Sequence, residues 1–417
     1  MPENFHIDMP EAVRNIIHTI EEHGFKAYAV GGCIRDSILG RNPDDWDITT
    51  SAVPSQIKTF FKRTVDTGIA HGTVTIMIDK TGYEVTTYRI DGEYEDGRHP
   101  KSVEFSDRLV DDLCRRDFTI NAMAYNDTDG FVDEFKGLDD LDTKIIRCVG
   151  EPELRFTEDA LRMMRAIRFS AQLGFTIDEA TWNAIKKLSP SISKISMERV
   201  HVELGKTLMS AHPDYVAQYS EAGLFAPILP VIDNALKSRY KRKILATLQH
   251  TPDNIYLRYA ALFITSTPDE AAKTLHALKL DNKTVNTVSK LVELSKMDIE
   301  ETEPAVRTAL NKYGRDFLPL WHELMMAVIQ ASEDITGISN PAKVKHLLTL
   351  KRLGTDILAR GDCFTIKDLD ISGNDLIEYG LQGHEIGETL KSLLDIVIEN
   401  PKLNDKATLI AMIEHIK

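Results

Sequence analysis

"AVGGCIRDSILGRNPDDWDITTSA", residues 29–52, sets a glycine pair, an arginine and an acid-aromatic-acid triplet between two strand-like ends. The flanks "KAYAV" and "DWDITTS" carry the β-branched and aromatic residues of strands, and Ile34 to Leu39 reads as a short helix between them. In an extended "DWDITT", side chains alternate, so Asp45 and Asp47 point one way and Trp46 the other. Two carboxylates then converge within reach of one hard cation, and Mg2+ accepts such oxygen ligands while keeping waters and phosphates in its remaining positions. Gly31-Gly32 opens backbone amides at the helix start, where phosphates approach closely, and Arg35 adds a fork of charge-assisted donors. An isolated acid pair is more often a plain turn; here the combination carries the signal. No GxxxxGK[ST] or GxGxxG occurs in this run, which disfavours a P-loop or a dinucleotide site.

Outward from this core, "GTVTIMID" and "YEVTTYRI" read as further strands and "VPSQIKTFFKR" as a helix, which predicts a mixed α/β region up to about residue 150. Glu84 in "YEVTTYR" offers a third carboxylate but reads as readily as an exposed strand residue, so it is assigned no metal role. After "CVGEPELRF" nearly everything follows helical spacing, with proline and glycine punctuation near "SAHPDY", "TSTPDE" and "GISNPAK". A chain of 417 residues exceeds one ordinary core, so several domains are expected. No apolar run approaches the roughly 18–20 residues of a membrane helix, and the N-terminus lacks a basic start followed by an apolar middle. Cys33, Cys114, Cys148 and Cys363 are far apart and form no CxxC pair, which argues against a zinc site or a disulfide framework and points to the cytoplasm. The net charge of -14 argues against broad nucleic-acid binding and confines any such contact to local basic patches.

Two further constellations carry chemistry. In "CRRDFTINAMAYN", Arg115, Arg116 and Asp117 suit phosphate and ribose contacts better than a solvated face, and Arg116 is the expected nucleotide ligand. In "RFTEDALRMMRAIRFSAQLGF", Thr157 reads as an N-cap with Glu158 and Asp159 in the first turn. Arg162, Arg165 and Arg168 follow at three-residue steps, interleaved with Leu161 and Phe169, so the arginines are expected to be half-buried around something polar. Asp159 and Arg162, three apart on one helix, would then offer an acceptor beside a donor. Cytosine and adenine both present an amino donor next to a ring-nitrogen acceptor, whereas uracil and guanine reverse that order. Such an edge accepts C and A, and leaves buried groups unpaired against U and G.

Together, "GGCIRD", "DWDITT", "RRDFTINA", "EDALRMMRAIRF" and "ERVHVEL" resemble the ordered motifs of class II CCA-adding enzymes, tRNA nucleotidyltransferases of the polymerase beta superfamily. "LDISGNDLIEYGLQGHEIGETLKSLL" is similar to their C-terminal segment, although His384 stands where proline is more usual. The resemblance implies an α+β chain: a polymerase-beta-like head with a mixed sheet at 1–147, followed by an all-α neck at 148–210, body at 211–330 and tail at 331–417. It implies nucleotide binding by Gly32, Arg35, Arg116, Asp159, Arg162, Arg165 and Arg168, and metal binding by Asp45 and Asp47 with Mg2+ as cofactor. The implied reaction adds C, C and A to the 3′ end of tRNA from CTP and ATP, releasing pyrophosphate. Candidate tRNA-facing patches are "KSRYKRK" (Lys237, Arg239, Lys241, Arg242, Lys243) and "AKVKHLLTLKR" (Lys343, Lys345, Lys351, Arg352), although each reads more readily as a solvated helix face. CC-only or A-only addition and a bacterial poly(A) polymerase remain open; an inactive RNA-binding module would not need both the acid pair and the arginine helix intact. The charged segment "IDGEYEDGRHPKSVEFSDRLVDDL", residues 90–113, with Gly92 and Gly97 as hinges, reads as a mobile loop, and the resemblance implies that an element here accompanies ATP acceptance, with Asp91 to Pro100 as the part to shorten. No oligomeric state is assigned.

Overall fold

The computed structural model describes residues 6–92 and 103–416, so 93–102 of the loop expected at 90–113 lie outside the described residues. The rest of that segment corrects the expectation, since Arg89–Asp91 pairs with Val103–Phe105 as two strands and Leu109–Cys114 is a helix. Two compact units divide the chain, residues 1–230 and 231–417. Among the described residues no helix is long and apolar enough to cross a membrane.

The first unit begins with α1 (Glu11–Glu22), whose Val13, Ile16, Ile17 and Ile20 recur at helical spacing and are buried, so that one apolar stripe packs on the sheet. The next elements are β1 (Ala27–Val30), α2 (Gly32–Ile38), β2 (Ile48–Thr50), α3 (Pro54–Phe60), β3 (Thr64–Gly68), β4 (Thr73–Ile78) and β5 (Thr81–Thr87). After them come β6 (Arg89–Asp91), β7 (Val103–Phe105), α4 (Leu109–Cys114), β8 (Ala124–Asn126), β9 (Gly130–Val132), α5 (Gly137–Asp142) and β10 (Ile145–Ile146). Seven strands form one sheet in the order β3-β4-β5-β2-β1-β8-β9. Its only parallel neighbours are β2 and β5, which makes the sheet mixed, as expected. Every residue of the central β1, "AYAV", is buried, the continuous apolar pattern of a strand covered on both faces. The edge strand β3 is largely exposed.

From α6 (Pro152–Glu158) onward the unit is helical, through α7 (Leu161–Leu173), β11 (Thr176–Ile177), α8 (Glu179–Leu188), α9 (Met197–Leu208) and α10 (Ala217–Glu221). One departure from the helical expectation is β11, which pairs in parallel with β10. It joins the chain after α7 to the end of the sheet region.

Two local expectations need correction. The strand containing "DWDITT" starts at Ile48, so Asp45 and Asp47 lie in the segment leading into it, exposed on either side of a half-buried Trp46, and the strand alternation expected for them does not apply. Thr157 is not an N-cap: it sits inside α6 and donates to the Glu153 carbonyl. The helix starts earlier because Pro152 occupies its first turn, where a missing N–H costs nothing. Asp159 then falls in the break between α6 and α7 with extended backbone, φ -141° and ψ 105°.

In the second unit eleven α-helices are described, from Pro230–Lys237 to Lys406–Ile416. Helices Phe317–Thr336 and Pro341–Arg360 approach closely at Gly354, where a Cβ would fall 2.0 Å from Leu318 Cδ2. Gly354→Ala forces Leu318 off its place, and we expect a loss of about 1–3 kcal/mol in stability, read as a lower urea midpoint at unchanged slope.

Candidate active site

Strand register assembles the acidic end of the site. β1 and β2 run antiparallel with Ala29 opposite Ile48, and the Val30 amide donates to the Asp47 carbonyl at 2.9 Å. The end of β1, which leads into the glycine pair, therefore lies beside the start of β2, which follows the acid pair. β5 runs parallel to β2 with Val85 opposite Ile48, which sets Glu84 beside Asp47. Burial raises the Asp47 carboxyl above its ordinary value despite its open face, Arg116 pulls it back, and Asp45 raises it again. Burial also raises Glu84, and the charges of Asp47 and Asp45 add to that. Glu84 thus feels both acids of the pair. No three His, Cys, Asp or Glu side chains among the described residues are already gathered as a metal-binding group. The donors that are present, hard carboxylate oxygens in mutual repulsion, fit a divalent cation completed by phosphate oxygens and water.

Gly31 rather than Gly32 bears the backbone constraint. Its φ is +87°, a region L residues seldom enter, and a Cβ there would meet Arg116 Nη1 at 3.0 Å. Gly32, the expected ligand, opens α2 in helical conformation. Arg35 is nearly buried and forks onto Asp36 at 2.9 and 2.8 Å, while Nη1 donates to Asn121 Oδ1 at 2.6 Å. Asn121 in turn donates to Asp117 at 3.1 Å.

Buried acids hold the remaining arginines. Asp112 is fully buried and receives Arg115 at 2.6 Å and Arg116 at 3.1 Å. Burial alone would raise its carboxyl, but the two guanidinium groups bring it below the usual range. Arg116 Nε is buried with no hydrogen-bond partner among the described residues. Such an orphaned donor beside Asp47 suits an incoming phosphate. Asp117 is buried, which opposes its charge, yet Arg165, Asn121 and Arg162 hold its carboxyl well below the ordinary value. Arg165 reaches it at 2.7 Å through Nε and 2.5 Å through Nη2. Arg168 Nε lies 2.8 Å from Glu203 Oε2, an ion pair without hydrogen-bond alignment.

Asp159 and Arg162 are not paired with each other. Arg199 forks onto Asp159 at 3.3 and 2.7 Å, and the Asp159 carboxylate also accepts the Leu161 amide at 3.0 Å. Arg162 donates to Glu158 at 2.6 Å and to the Arg115 carbonyl at 2.9 Å. A carboxylate can accept about four hydrogen bonds and a guanidinium can donate five, so both keep capacity for a ligand. Asp112 drew no reading from the sequence, while Gly31 was read only as half of the glycine pair, Glu158 only as a first-turn acid, and Asn121 and Arg199 only as members of "CRRDFTINAMAYN" and "ERVHVEL".

In the second unit Lys243 and Lys343, from the two basic stretches, line one cavity of about 600 Å3 with Trp321, Met325 and His346. Lys237 is tied to Asp233 at 2.8 Å. All four cysteines are free.

Residues 27–147 match the family described as "Poly A polymerase head domain", 174–236 an "RNA and SrmB- binding site of polymerase A", and 256–413 a "tRNA nucleotidyltransferase domain 2". The chain is 37% identical to a CCA-adding enzyme of Limosilactobacillus fermentum, covering 96% of this chain and 95% of that one. With a CCA-adding enzyme of Pediococcus pentosaceus the identity is 34%, over 98% of both. Its fold matches that of a CCA-adding enzyme from Bacillus stearothermophilus crystallised with CTP, at 31% identity, a TM-score of 0.75 and coverage of 97% and 96%.

The Asp112 charge contributes stability that is fully present above the unfolded carboxyl pKa, about 3.9, and lost as pH falls through the lower folded value. Asp112→Asn should therefore cost about 3 kcal/mol at neutral pH and flatten the loss of thermal stability below about pH 4, measured by circular dichroism against the parent protein.

Proposed function

Because this chain belongs to the CCA-adding enzyme family, we propose that the acidic end of its sheet and the arginines around α7 form one nucleotidyltransferase site. The protein is a tRNA nucleotidyltransferase that adds C, C and A to the tRNA 3′ end from CTP and ATP without a nucleic-acid template. A divalent cation serves this chemistry, and we take it to be Mg2+ held by Asp45 and Asp47. When bound it stabilises the developing charge at the transferred phosphate.

The observation that carries the reading is the strand register that sets Glu84 beside Asp47, next to an Arg116 Nε with no hydrogen-bond partner among the described residues. Triphosphate lies against Arg116, Arg35, Arg165 and Arg168, with Gly31-Gly32 allowing close backbone approach. Little covalent work falls to the protein. Holding the tRNA 3′-hydroxyl in line with the α-phosphorus lowers the entropic part of the barrier. Asp159 accepts the amino group of C or A, and Arg162 donates to the neighbouring ring nitrogen. Arg199 and Glu158 keep these two groups aimed. U and G present the opposite order and leave both unpaired.

We assign the head to 1–147, the neck to 148–210, the body to 211–330 and the tail to 331–417, with tRNA held along the later helical parts. A shared tRNA must be recognised by shape and backbone, and Lys243 and Lys343 are the basic groups we favour for it. Reduced cysteines fit action in the cytoplasm.

A tRNA transcript ending at its discriminator base should gain two residues with CTP alone and a third when ATP is added, resolved on a sequencing gel. Extension only of a transcript already ending in CC would replace this reading with A-addition. Asp45→Ala or Asp47→Ala should abolish both steps with the melting temperature little changed. Asp159→Ala should admit UTP and GTP, since the amino acceptor is gone, whereas Arg162→Ala should impair CTP and ATP alike. Single-nucleotide incorporation rates check both.

A further inference from the structure

One aromatic ring stands at the centre of the arginines assigned above. Phe169 lies on α7 and is 6% exposed. The Arg35 guanidinium carbon lies 5.0 Å from its ring centroid, that of Arg165 5.3 Å, and that of Arg168 4.1 Å. The edge contact of Phe118 at 5.8 Å and 79° holds the ring itself. Two of the arginines belong to α7 and the third to α2, 130 positions earlier and on no shared element.

We propose that Phe169 is a positioning residue that gathers Arg35, Arg165 and Arg168 into one preformed triphosphate cradle. This rests on the reading of those three arginines as triphosphate ligands. Each guanidinium has a carboxylate on one side, Asp36, Asp117 and Glu203 in turn, and Phe169 on the other. The acids reduce repulsion among the cations but are scattered, so they cannot align the three groups with one another. A ring face attracts a cation through its quadrupole and has no charge to screen the group from phosphate. Long arginine side chains otherwise lose rotamer freedom when a ligand binds. Ordering them beforehand tightens ground-state binding of the nucleotide and leaves the chemical step alone.

Phe169→Leu keeps an apolar side chain and removes the ring. We expect the KM for CTP and for ATP to rise by the same factor, about tenfold, with kcat and rejection of UTP nearly unchanged. Inorganic tripolyphosphate should lose potency as a competitive inhibitor in parallel. Phe169→Tyr, which retains the π face, should stay close to the parent. If the leucine variant does not fold, substitution by mono-, di- and trifluorophenylalanine at 169 weakens the quadrupole at nearly constant shape, and KM should climb stepwise. Parent-like KM values across these variants, while Arg165→Ala and Arg168→Ala raise KM, would overturn the role of the ring and leave the triphosphate reading intact. A lowered melting temperature at unchanged KM would likewise reduce Phe169 to a core residue. Parent-like KM values in both arginine variants would remove the triphosphate reading, and this proposal with it.

Discussion

The hydrogen bond from the Val30 amide to the Asp47 carbonyl fixes where everything else at the site must be. It closes the ladder of β1 and β2 at the sheet end where one strand turns into glycine and the other emerges from acid. A one-residue slip in that pairing would send Asp47 to the opposite face. Because β5 is parallel to β2 and keeps Val85 opposite Ile48, the same register also delivers Glu84. Asp47 and Glu84, from two distant segments, thus come side by side through strand register.

Charge balance around this end is nearly complete before any substrate arrives. Asp112 holds Arg115 and Arg116, Asp117 holds Arg165, Glu203 holds Arg168, and Asp36 holds Arg35. In a chain of net charge -14 this local pairing keeps five guanidinium groups in place around a small volume without a basic surface. Buried ion pairs of this sort are costly to break by removing one partner and add little by themselves. Their benefit here is placement. Arg155 and Arg162 extend the same logic by donating to the Cys114 and Arg115 carbonyls at the end of α4, which ties the α6–α7 turn to the segment that carries Arg116.

The acid pair stood out in sequence by its spacing beside the glycine pair, although the strand period used to read it does not apply, since the strand begins only at Ile48. The arginine ladder at 162, 165 and 168 was legible because its spacing on a helix is local information. What misled was Thr157. "FTEDALR" has the form of a capped start, but the helix had already begun at "EPEL", where Pro152 was the stronger signal. Local capping rules say where a helix can begin, and here the first turn at Pro152 is accompanied by the tertiary bond from Arg155 to the Cys114 carbonyl. Asn121, Arg199 and Asp112 escaped because each acts on a partner made close only by folding. Gly31 and Gly32 could not be told apart from composition: the positive φ depends on the direction in which the chain leaves β1. The convergence of Lys243 and Lys343 on one cavity is a hundred-residue contact of the same kind.

The break at Asp159 has a consequence for how such a protein can change over generations. The carboxylate assigned to base choice also accepts the Leu161 amide at the start of α7, and one such hydrogen bond contributes about 1 kcal/mol. A substitution that alters which base is welcomed therefore also loosens the start of the helix that carries the arginines we assign to the triphosphate. Lineages drifting toward a different base preference would lose foldedness at the same step, so purifying selection on stability guards the sequence that is written onto RNA even where a single misreading would go unpunished.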